Sequence, residues 1–270
     1  MTRVLVLFDI DGTLLLTAGA GRRAITSALA DRIGTSDAWQ RITFDGKTDP
    51  QIVRELLEAA GDAAAGDPDT IAEICERYIS LLEEELDRSP GATRLLPGVV
   101  PLLDDLSARS DVVLGLLTGN LARGAGLKLR SGGLDPARFR VGAYGSDSPH
   151  RPDLPAIAAE RAAPIFGRVP AGETVVIVGD TPSDVTCGQG IGARSVAVAT
   201  GSFTVSVLRE AGARAAFDDL SDTAAVLEAI LACAASPAYI PSSSSRRWCR
   251  TPRFSGGISS SRAPKRRSAG

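Results

Sequence analysis

The feature that most constrains the fold is the alternation of short apolar runs with longer amphipathic stretches. Five runs are compact enough to form strands that are buried on both faces. They are Val4–Phe8, Val112–Leu117, Arg140–Tyr144, Val175–Val178 and Ser195–Val198. Amphipathic helices are expected at Gly98–Arg109, Leu121–Ser131, Leu154–Ala163, Ser183–Gly190 and Val205–Ala211. This pattern predicts the α/β class, with a doubly wound, Rossmann-like parallel sheet.

The interval after the first run breaks this rhythm. Between Phe8 and Leu96 there is no convincing strand, but helical patterns occur at about Gly21–Ile33, Asp49–Ala60 and Asp69–Leu86. Such an excursion could be decorative, but an insertion beside the carboxyl end of a strand more often forms a lid or substrate domain. We therefore expect a small all-α cap domain. The expected division is 1–17 and 97–235 for the α/β core, 18–96 for the cap and 236–270 for a tail.

The tail differs from the rest of the chain in composition and charge. Residues 236–270 contain eight basic residues, no acidic residue and several serine runs, a composition typical of disordered segments. The formal net charge of -2 therefore hides a body with 22 Lys+Arg against 32 Asp+Glu. A body this acidic repels nucleic-acid backbones, so no nucleic-acid partner is expected for the core. The tail could tether an anionic partner weakly, but a solvated extension is the simpler interpretation.

The four cysteines are widely separated and show neither a disulfide framework nor metal-ligand spacing. The first apolar stretch is too short for a signal peptide, and no later run reaches membrane length. We therefore expect a cytoplasmic protein without a membrane partner, either a monomer or a homodimer.

Three polar segments follow buried runs and carry the candidate chemistry. In VLFDIDGTLL, Asp9 and Asp11 stand two residues apart at the mouth of the first strand. A turn explains an Asp-Gly pair but does not require Asp9. A functional pairing explains both carboxylates, one as nucleophile and metal ligand and the other as proton donor and acceptor.

The second and third segments end strands expected beside the first. In LGLLTGN, Thr118 offers a hydroxyl, and Gly119 and Asn120 open a turn whose N–H groups could face an anion, although this is also a plain strand-to-helix turn. In VVIVGDTPSDV, Asp180 and Asp184 could cap the following helix. With Asp9 they also form a set of hard oxygen ligands that suits Mg²⁺.

The segments DIDGT, LLTGN and GDTPSD, in this order and spacing, resemble three motifs of the haloacid dehalogenase superfamily. The stretches FDGKTDP, SGGLDPARF and GAYGSD are similar to its phosphoglycolate-phosphatase-like branch, whose members carry a helical cap. The resemblance covers about residues 1–235. It implies a Mg²⁺-dependent hydrolase that acts on a small phosphorylated metabolite, such as phosphoglycolate or a sugar phosphate.

The resemblance also implies a role for each matching residue. Asp9 would form an aspartyl-phosphate and bind Mg²⁺, and Asp11 would act as general acid and base, with its carbonyl on the metal. Thr118, Gly119 and Asn120 would hold the phosphate. Asp180 would bind the metal directly, while Asp184 would bind it or orient the site.

One element departs from the family pattern. The family usually has a Lys before the helix that precedes the last motif, whereas this chain reads SPHRPDLP, with Arg151 at that place. A guanidinium keeps the positive charge and can bind a phosphoryl oxygen and Asp9, although with a different geometry. The alternative is a surface arginine before a helix. The single histidine, His150, is expected to be exposed.

Several functions remain compatible with these residues. Asp11 argues against dehalogenation at a carbon centre, because dehalogenases of this superfamily lack an acid two residues after the nucleophile. Phosphonate hydrolysis would need a lysine in the cap, and Lys47 is the only lysine between Asp9 and Thr118, which argues against that reaction. A phosphosugar mutase and a catalytically silent binding protein stay open. Substrate choice is expected in the cap, where the residues that could face the crevice are Arg22, Arg23, Lys47 and Thr48. The first strand is expected to lie between the strands that end at Thr118 and Gly179.

Overall fold

A computed structural model describes residues 3–34 and 37–232. Its main sheet has six parallel strands: β1 (Val4–Phe8), β4 (Val112–Thr118), β5 (Val141–Tyr144), β6 (Val175–Gly179), β7 (Arg194–Val198) and β8 (Ala215–Phe217). Their spatial order is β5-β4-β1-β6-β7-β8, so β1 pairs in parallel with β4 on one side and β6 on the other. The predicted α/β class and the central place of the first strand are confirmed.

Helices cover both faces of this sheet. On one face, Val6 and Phe8 of β1 pack with α5 (Val99–Ser107), α6 (Ala122–Ser131) and α10 (Thr223–Leu231). On the other face, Leu5 and Leu7 pack with α7 (Leu154–Phe166) and α8 (Pro182–Cys187). Alternate side chains of one strand thus feed two apolar clusters, which is why the strand sequence is continuously apolar. The helix α9 (Val205–Glu210) lies between β7 and β8 in the chain.

Four helices form the insertion: α1 (Ala20–Ile33), α2 (Ala38–Arg41), α3 (Asp49–Ala60) and α4 (Pro68–Arg88). Helix α3 begins after Thr48, whose hydroxyl accepts the N–H of Gln51, and it ends at Gly61 in the left-handed region. Buried residues of α1, α3 and α4 form an apolar cluster distinct from those of the sheet. This separate core supports the expected cap, although the boundaries at residues 18 and 96 stay predictions.

Several local predictions were wrong. Two short strands, β2 (Leu15–Leu16) and β3 (Arg94–Leu95), pair antiparallel at the ends of the insertion, where no strand was expected. Each has only two residues and exists because it pairs with the other. Strand β8 and helix α10 were also missed, and α8 ends at Cys187, where a 3-10 turn (Gly188–Ile191) replaces it. The predicted tail, 236–270, lies outside the described residues.

Helix α7 continues beyond its predicted end at Ala163, through Pro164 to Phe166. A proline so close to the end of a helix removes one of the last backbone hydrogen bonds, which the remaining turn tolerates here. Among the described residues, no helix is both long and apolar enough to cross a membrane.

Gly98 joins the insertion to α5 and offers a test of how closely the chain packs there. Its φ is +79°, and a Cβ built on it would lie 1.9 Å from the carbonyl oxygen of Leu220. Gly133 has the same φ but open space around that position. We expect Gly133→Ala to lower the free energy of unfolding by about 1 kcal/mol through backbone strain alone, and Gly98→Ala to lower it clearly more because of the steric clash. Urea unfolding of both variants measures the difference, and equal losses would contradict the close packing.

Candidate active site

The three candidate segments meet at one edge of the sheet. Strands β1, β4 and β6 are parallel neighbours, so the residues after Phe8, Thr118 and Gly179 emerge side by side at their carboxyl ends. This edge is the usual ligand site of an open α/β sheet. It borders a cavity of about 440 Å³ beneath the insertion, whose lining includes Asp9, Asp11, Thr118, Gly119, Asn120, Arg151 and Asp180.

Asp9, Asp180 and Asp184 form a buried carboxylate cluster. Each can offer one oxygen such that the three atoms lie within 4.8 Å of one another. Their exposed fractions are 6%, 4% and 1%. One oxygen of Asp9, Oδ1, is buried without a hydrogen-bond partner in the described part of the chain. A buried carboxylate oxygen without a partner is costly unless a ligand binds it, so the donor set fits a hard cation such as Mg²⁺.

Arg151 is the cation of this cluster. It begins a 3-10 turn (Arg151–Asp153) and is 4% exposed. Its Nη2 lies 3.4 Å from Oδ2 of Asp9 and also contacts Oδ1 of Asp184. Burial opposes the guanidinium charge, but Asp184 and Asp9 outweigh it and raise the pKa of Arg151. The residue is therefore part of a buried charge cluster and not a surface arginine.

Asp184 has a second, local task. Its Oδ2 accepts the N–H of Thr181 at 3.0 Å and the Thr181 hydroxyl at 2.6 Å, while its own N–H donates to the Thr181 hydroxyl. This capping box starts α8. Because Arg151 contacts the other oxygen, both oxygens of Asp184 are already engaged. The alternative role of helix capping therefore holds for Asp184, whereas Asp180 accepts the hydroxyl of Thr13 at 2.9 Å and does not cap the helix.

The carboxyl group of Asp11 points to a different set of partners. Its Oδ2 accepts a hydrogen bond from Nδ2 of Asn120 at 2.8 Å and from Nζ of Lys128 at 2.6 Å. Asn120 Nδ2 also donates to the Thr118 hydroxyl at 2.8 Å, so Asn120 links Thr118 to Asp11. The two aspartates of the first segment are thus separated: Asp9 faces the buried cluster and Asp11 faces Asn120 and Lys128.

Sequence reasoning missed Lys128, which is 4% exposed on α6. Burial opposes its charge, but the nearby carboxylates of Asp11 and Asp49 outweigh this and raise the pKa of Lys128. The signal was present in the helical pattern, because Lys128 lies four residues after Gly124 and three after Ala125, on the buried face of α6. A lysine on the apolar face of a helix calls for a carboxylate partner.

The insertion contacts the second segment directly. The N–H of Asp49 donates to the carbonyl of Gly119 at 2.8 Å, and Oδ2 of Asp49 accepts the N–H of Leu121 at 2.8 Å. A Cβ on Gly119 would lie 2.0 Å from the carbonyl oxygen of Lys47, so only glycine allows this approach. Burial raises the pKa of Asp49 to about 6, against the opposing effect of Lys128.

The four residues expected to face the crevice differ in position. Arg22 and Lys47 line the cavity, with the Arg22 guanidinium 4.1 Å from the centre of the Phe44 ring and Lys47 paired with Glu55. Arg23 instead pairs with Glu85 at 2.7 Å, outside the cavity lining. Thr48 is buried and donates to the carbonyl of Pro149 at 2.8 Å. His150 is exposed, as expected, and its Nδ1 lies 3.1 Å from Oδ1 of Asp153.

Comparisons with known proteins show which families and folds this chain resembles. A family model described as HAD-hydrolase-like matches residues 151–223. A hydrolase from Pseudomonas syringae is similar in structure at 22% identity and TM-score 0.64, covering 84% of this chain and 98% of its own. A predicted phosphoglycolate phosphatase from Haemophilus somnus, at 21% identity and TM-score 0.60, shares the same coverage. A β-phosphoglucomutase from Clostridium difficile has 17% identity and TM-score 0.64, with coverage of 85% and 97%.

At these identities the structural likeness establishes the fold. Among curated proteins no match was found. The family model and the shared fold confirm the resemblance to haloacid dehalogenase-like hydrolases that the sequence motifs indicated. The family model begins at Arg151, so it covers Asp180 and Asp184 but neither Asp9 nor Thr118.

The buried cluster predicts a pH dependence of stability in the metal-free protein. Burial raises the pKa of Asp9 from 3.8 to about 7, partly offset by Arg151. Folding thus favours protonated Asp9, and this stabilisation, complete below about pH 4, is lost as the pH rises through about 7. The free energy of unfolding of Asp9→Asn minus that of wild type should therefore increase by roughly 2–4 kcal/mol between about pH 4 and 7.5. Urea unfolding without metal tests this, and a constant difference would contradict it.

Proposed function

We propose that the chain is a Mg²⁺-dependent phosphatase that hydrolyses a small phosphomonoester, such as phosphoglycolate or a sugar phosphate, through an aspartyl-phosphate on Asp9. The observation that carries this proposal is the separation of the two aspartates. Asp9 lies in the buried cluster with Arg151, Asp180 and Asp184, whereas Asp11 lies on the other side with Asn120 and Lys128. A nucleophile and a separate acid/base are the two groups that a double displacement at phosphorus needs.

In the first step, a carboxylate oxygen of Asp9 forms a bond to phosphorus while the bond to the leaving oxygen breaks. Asp11 gives a proton to that oxygen, and the alcohol leaves. In the second step, a water molecule attacks the phosphorus, Asp11 takes a proton from it, and the bond to Asp9 breaks to release phosphate. Both steps need positive charge around the phosphoryl oxygens. When bound, Mg²⁺ supplies part of this charge and shields Asp9 from the anionic substrate.

The residues of the chain divide this work among them. Asp9 and Asp180 would hold the metal, with the backbone carbonyl of Asp11. Asp184, whose oxygens already accept from Thr181 and contact Arg151, is better suited to orient the site than to bind the metal directly. Arg151 and the turn at Thr118, Gly119 and Asn120 would bind phosphoryl oxygens.

The insertion would serve as the cap that closes over the substrate. It forms the other wall of the cavity, where Arg22 stacks on Phe44. In the described residues, Arg22 has no carboxylate within 4.0 Å, whereas Lys47, Lys128 and Arg151 each do. A second anionic group or a hydroxyl on the substrate would find its partner there. A cytoplasmic location and a monomeric or homodimeric state accompany this proposal as predictions.

Phosphate release from a panel of phosphomonoesters tests the proposal, with Mg²⁺ or EDTA present. We expect turnover that requires Mg²⁺ and that Asp9→Asn abolishes. Asp105→Asn is the matched control, since this exposed aspartate of α5 lies outside the cavity lining, and it should leave turnover unchanged. A phosphorylated protein without turnover on any ester would indicate a mutase, the activity named for the Clostridium difficile relative. Neither turnover nor phosphorylation would indicate a silent binding protein.

Arg151 gives a second prediction. Arg151→Met should lower kcat/KM by roughly 10²–10³, because it removes the preorganised cation beside Asp9. Arg151→Lys keeps the charge but loses the forked donor geometry, so its loss should be smaller. Arg161→Met is the control, since Arg161 pairs with Asp147 away from the cavity and its loss should leave kcat/KM near the wild-type value. Equal activity of Arg151→Met and wild type would remove Arg151 from the site, and thermal unfolding of each variant identifies losses that arise from misfolding.

A further inference from the structure

Lys128 is a buried cation that the proposed reaction has not yet used. Its side chain is 6% exposed, and it lies in the cavity wall between the sheet and the insertion. Helix α1 closes over it, since a Cβ on Gly21 would lie 3.3 Å from Nζ. A buried ammonium is costly unless it is paired and hydrogen-bonded, so its partners indicate its purpose.

Those partners form a closed triangle around one carboxyl oxygen. Nζ of Lys128 lies 2.6 Å from Oδ2 of Asp11 and 2.6 Å from Oδ1 of Asn120. Nδ2 of Asn120 completes the triangle with a hydrogen bond of 2.8 Å to the same Oδ2 of Asp11. Because Asn120 Oδ1 accepts from Lys128, the amide of Asn120 is turned so that its NH₂ group faces Asp11.

The other oxygen of Asp11, Oδ1, has no hydrogen-bond partner within residues 3–34 and 37–232. The Asp11 side chain is 41% exposed and lines the cavity. One oxygen of the carboxyl group is therefore fixed by two donors, and the other is open on the side where a substrate would bind.

Lys128 has no ion pair with the buried carboxylate cluster in this part of the chain, because Arg151 alone pairs with Asp9 and Asp184 there. Its direct partners at the site are Asp11 and Asn120. The most direct route from Lys128 to the reaction is therefore Asp11, which Lys128 contacts directly and also holds through Asn120.

We propose that Lys128 is a positioning residue that, with Asn120, fixes Oδ2 of Asp11 so that Oδ1 is aimed at the leaving oxygen of the substrate. This inference rests on the proposed phosphatase function. In the first step, Oδ1 gives its proton to the leaving oxygen as the phosphorus bond to that oxygen breaks, and Lys128 keeps all of its protons. Proton transfer depends steeply on placement, and a displacement of about 1 Å can lower a rate about 10²-fold.

The test uses the dependence of the rate on the leaving group. The alcohol of ethyl phosphate needs a proton from Asp11 to leave, whereas the nitrophenolate of p-nitrophenyl phosphate leaves readily without one. The value of kcat/KM reports the first phosphoryl transfer, in which Asp11 acts as acid. It is measured with both esters, and with 2-phosphoglycolate as a third substrate, for wild type, Asp11→Asn, Lys128→Met and Lys128→Gln, with Mg²⁺ present.

We expect Lys128→Met to lower kcat/KM at least about tenfold more for ethyl phosphate than for p-nitrophenyl phosphate, within the roughly 10²–10⁴-fold that a general acid contributes. Asp11→Asn should show the same selectivity, and Lys128→Gln a smaller one, because its amide can still donate a hydrogen bond. Lys47→Met is the matched control: Lys47 lines the same cavity but pairs with Glu55, so its loss should affect both esters by the same factor.

Equal losses of Lys128→Met on both esters would show a merely structural role and overturn the inference, while the phosphatase proposal would stand. A loss confined to 2-phosphoglycolate, with ethyl phosphate spared, would make Lys128 a direct ligand of a substrate carboxylate and would also overturn it. No hydrolysis of any ester by wild type would overturn both proposals. Thermal unfolding identifies misfolded protein, and if Lys128→Met does not fold, Lys128→Gln carries the test.

Discussion

Three carboxylates buried around a single guanidinium are the constraint on which the rest of the structure depends. Asp9, Asp180 and Asp184 are held together by strand pairing and by a capping box, and Arg151 pairs directly with Asp9 and Asp184. Burial drives the pKa of Asp180 well above its usual range, and the charges of Asp184 and Asp9 raise it further. So much concentrated negative charge is stable only if a proton or a cation is shared among the three residues.

The sheet and the insertion contribute different parts of the site. The sheet supplies the buried cluster from loops after neighbouring strands, and the insertion supplies a wall with its own apolar core. Between them, Asp11 is only half-buried and is oriented by Asn120 and Lys128. The group proposed to exchange protons thus has access to the cavity, whereas the group proposed to attack phosphorus is enclosed. Burial differs between the two aspartates because one lies directly at the strand end and the other lies beyond it.

Much of this arrangement could be predicted from the sequence because it depends on strong local signals. Continuous apolar runs located five of the six strands of the main sheet, and polar residues at their ends located Asp9, Thr118 and Asp180. The ribbon of β2 and β3 could not be predicted, since two-residue strands carry no periodicity and are stabilised by pairing across the whole insertion. Strand β8, the sequence AAF, is too short and too rich in alanine to be distinguished from a helix end.

The role of Lys128 could not be predicted from the sequence for a different reason. The pattern of α6 places Lys128 on the buried face of that helix, but it does not name the partner, because Asp11 lies 117 residues away in the sequence. The partners of Arg151 were within reach of sequence reasoning, because its position before α7 matched a known pattern. The sequence thus predicts residues that follow strands better than residues that meet across two packed layers.

The hydrogen bonds between Asp49 and the turn at Gly119 and Leu121 have a thermodynamic consequence. These hydrogen bonds both attach the insertion to the sheet domain, an arrangement called here the seated insertion, and hold the turn that carries Thr118 and Asn120. Any ligand that orders this turn must therefore favour the seated insertion, and by linkage the seated insertion must favour that ligand by the same free energy. A substitution far from any phosphate that lowers the fraction of molecules with these hydrogen bonds formed would then lower the apparent ligand affinity in proportion to that fraction. The position of the insertion over the cavity and the affinity of the site for its ligand are therefore thermodynamically linked.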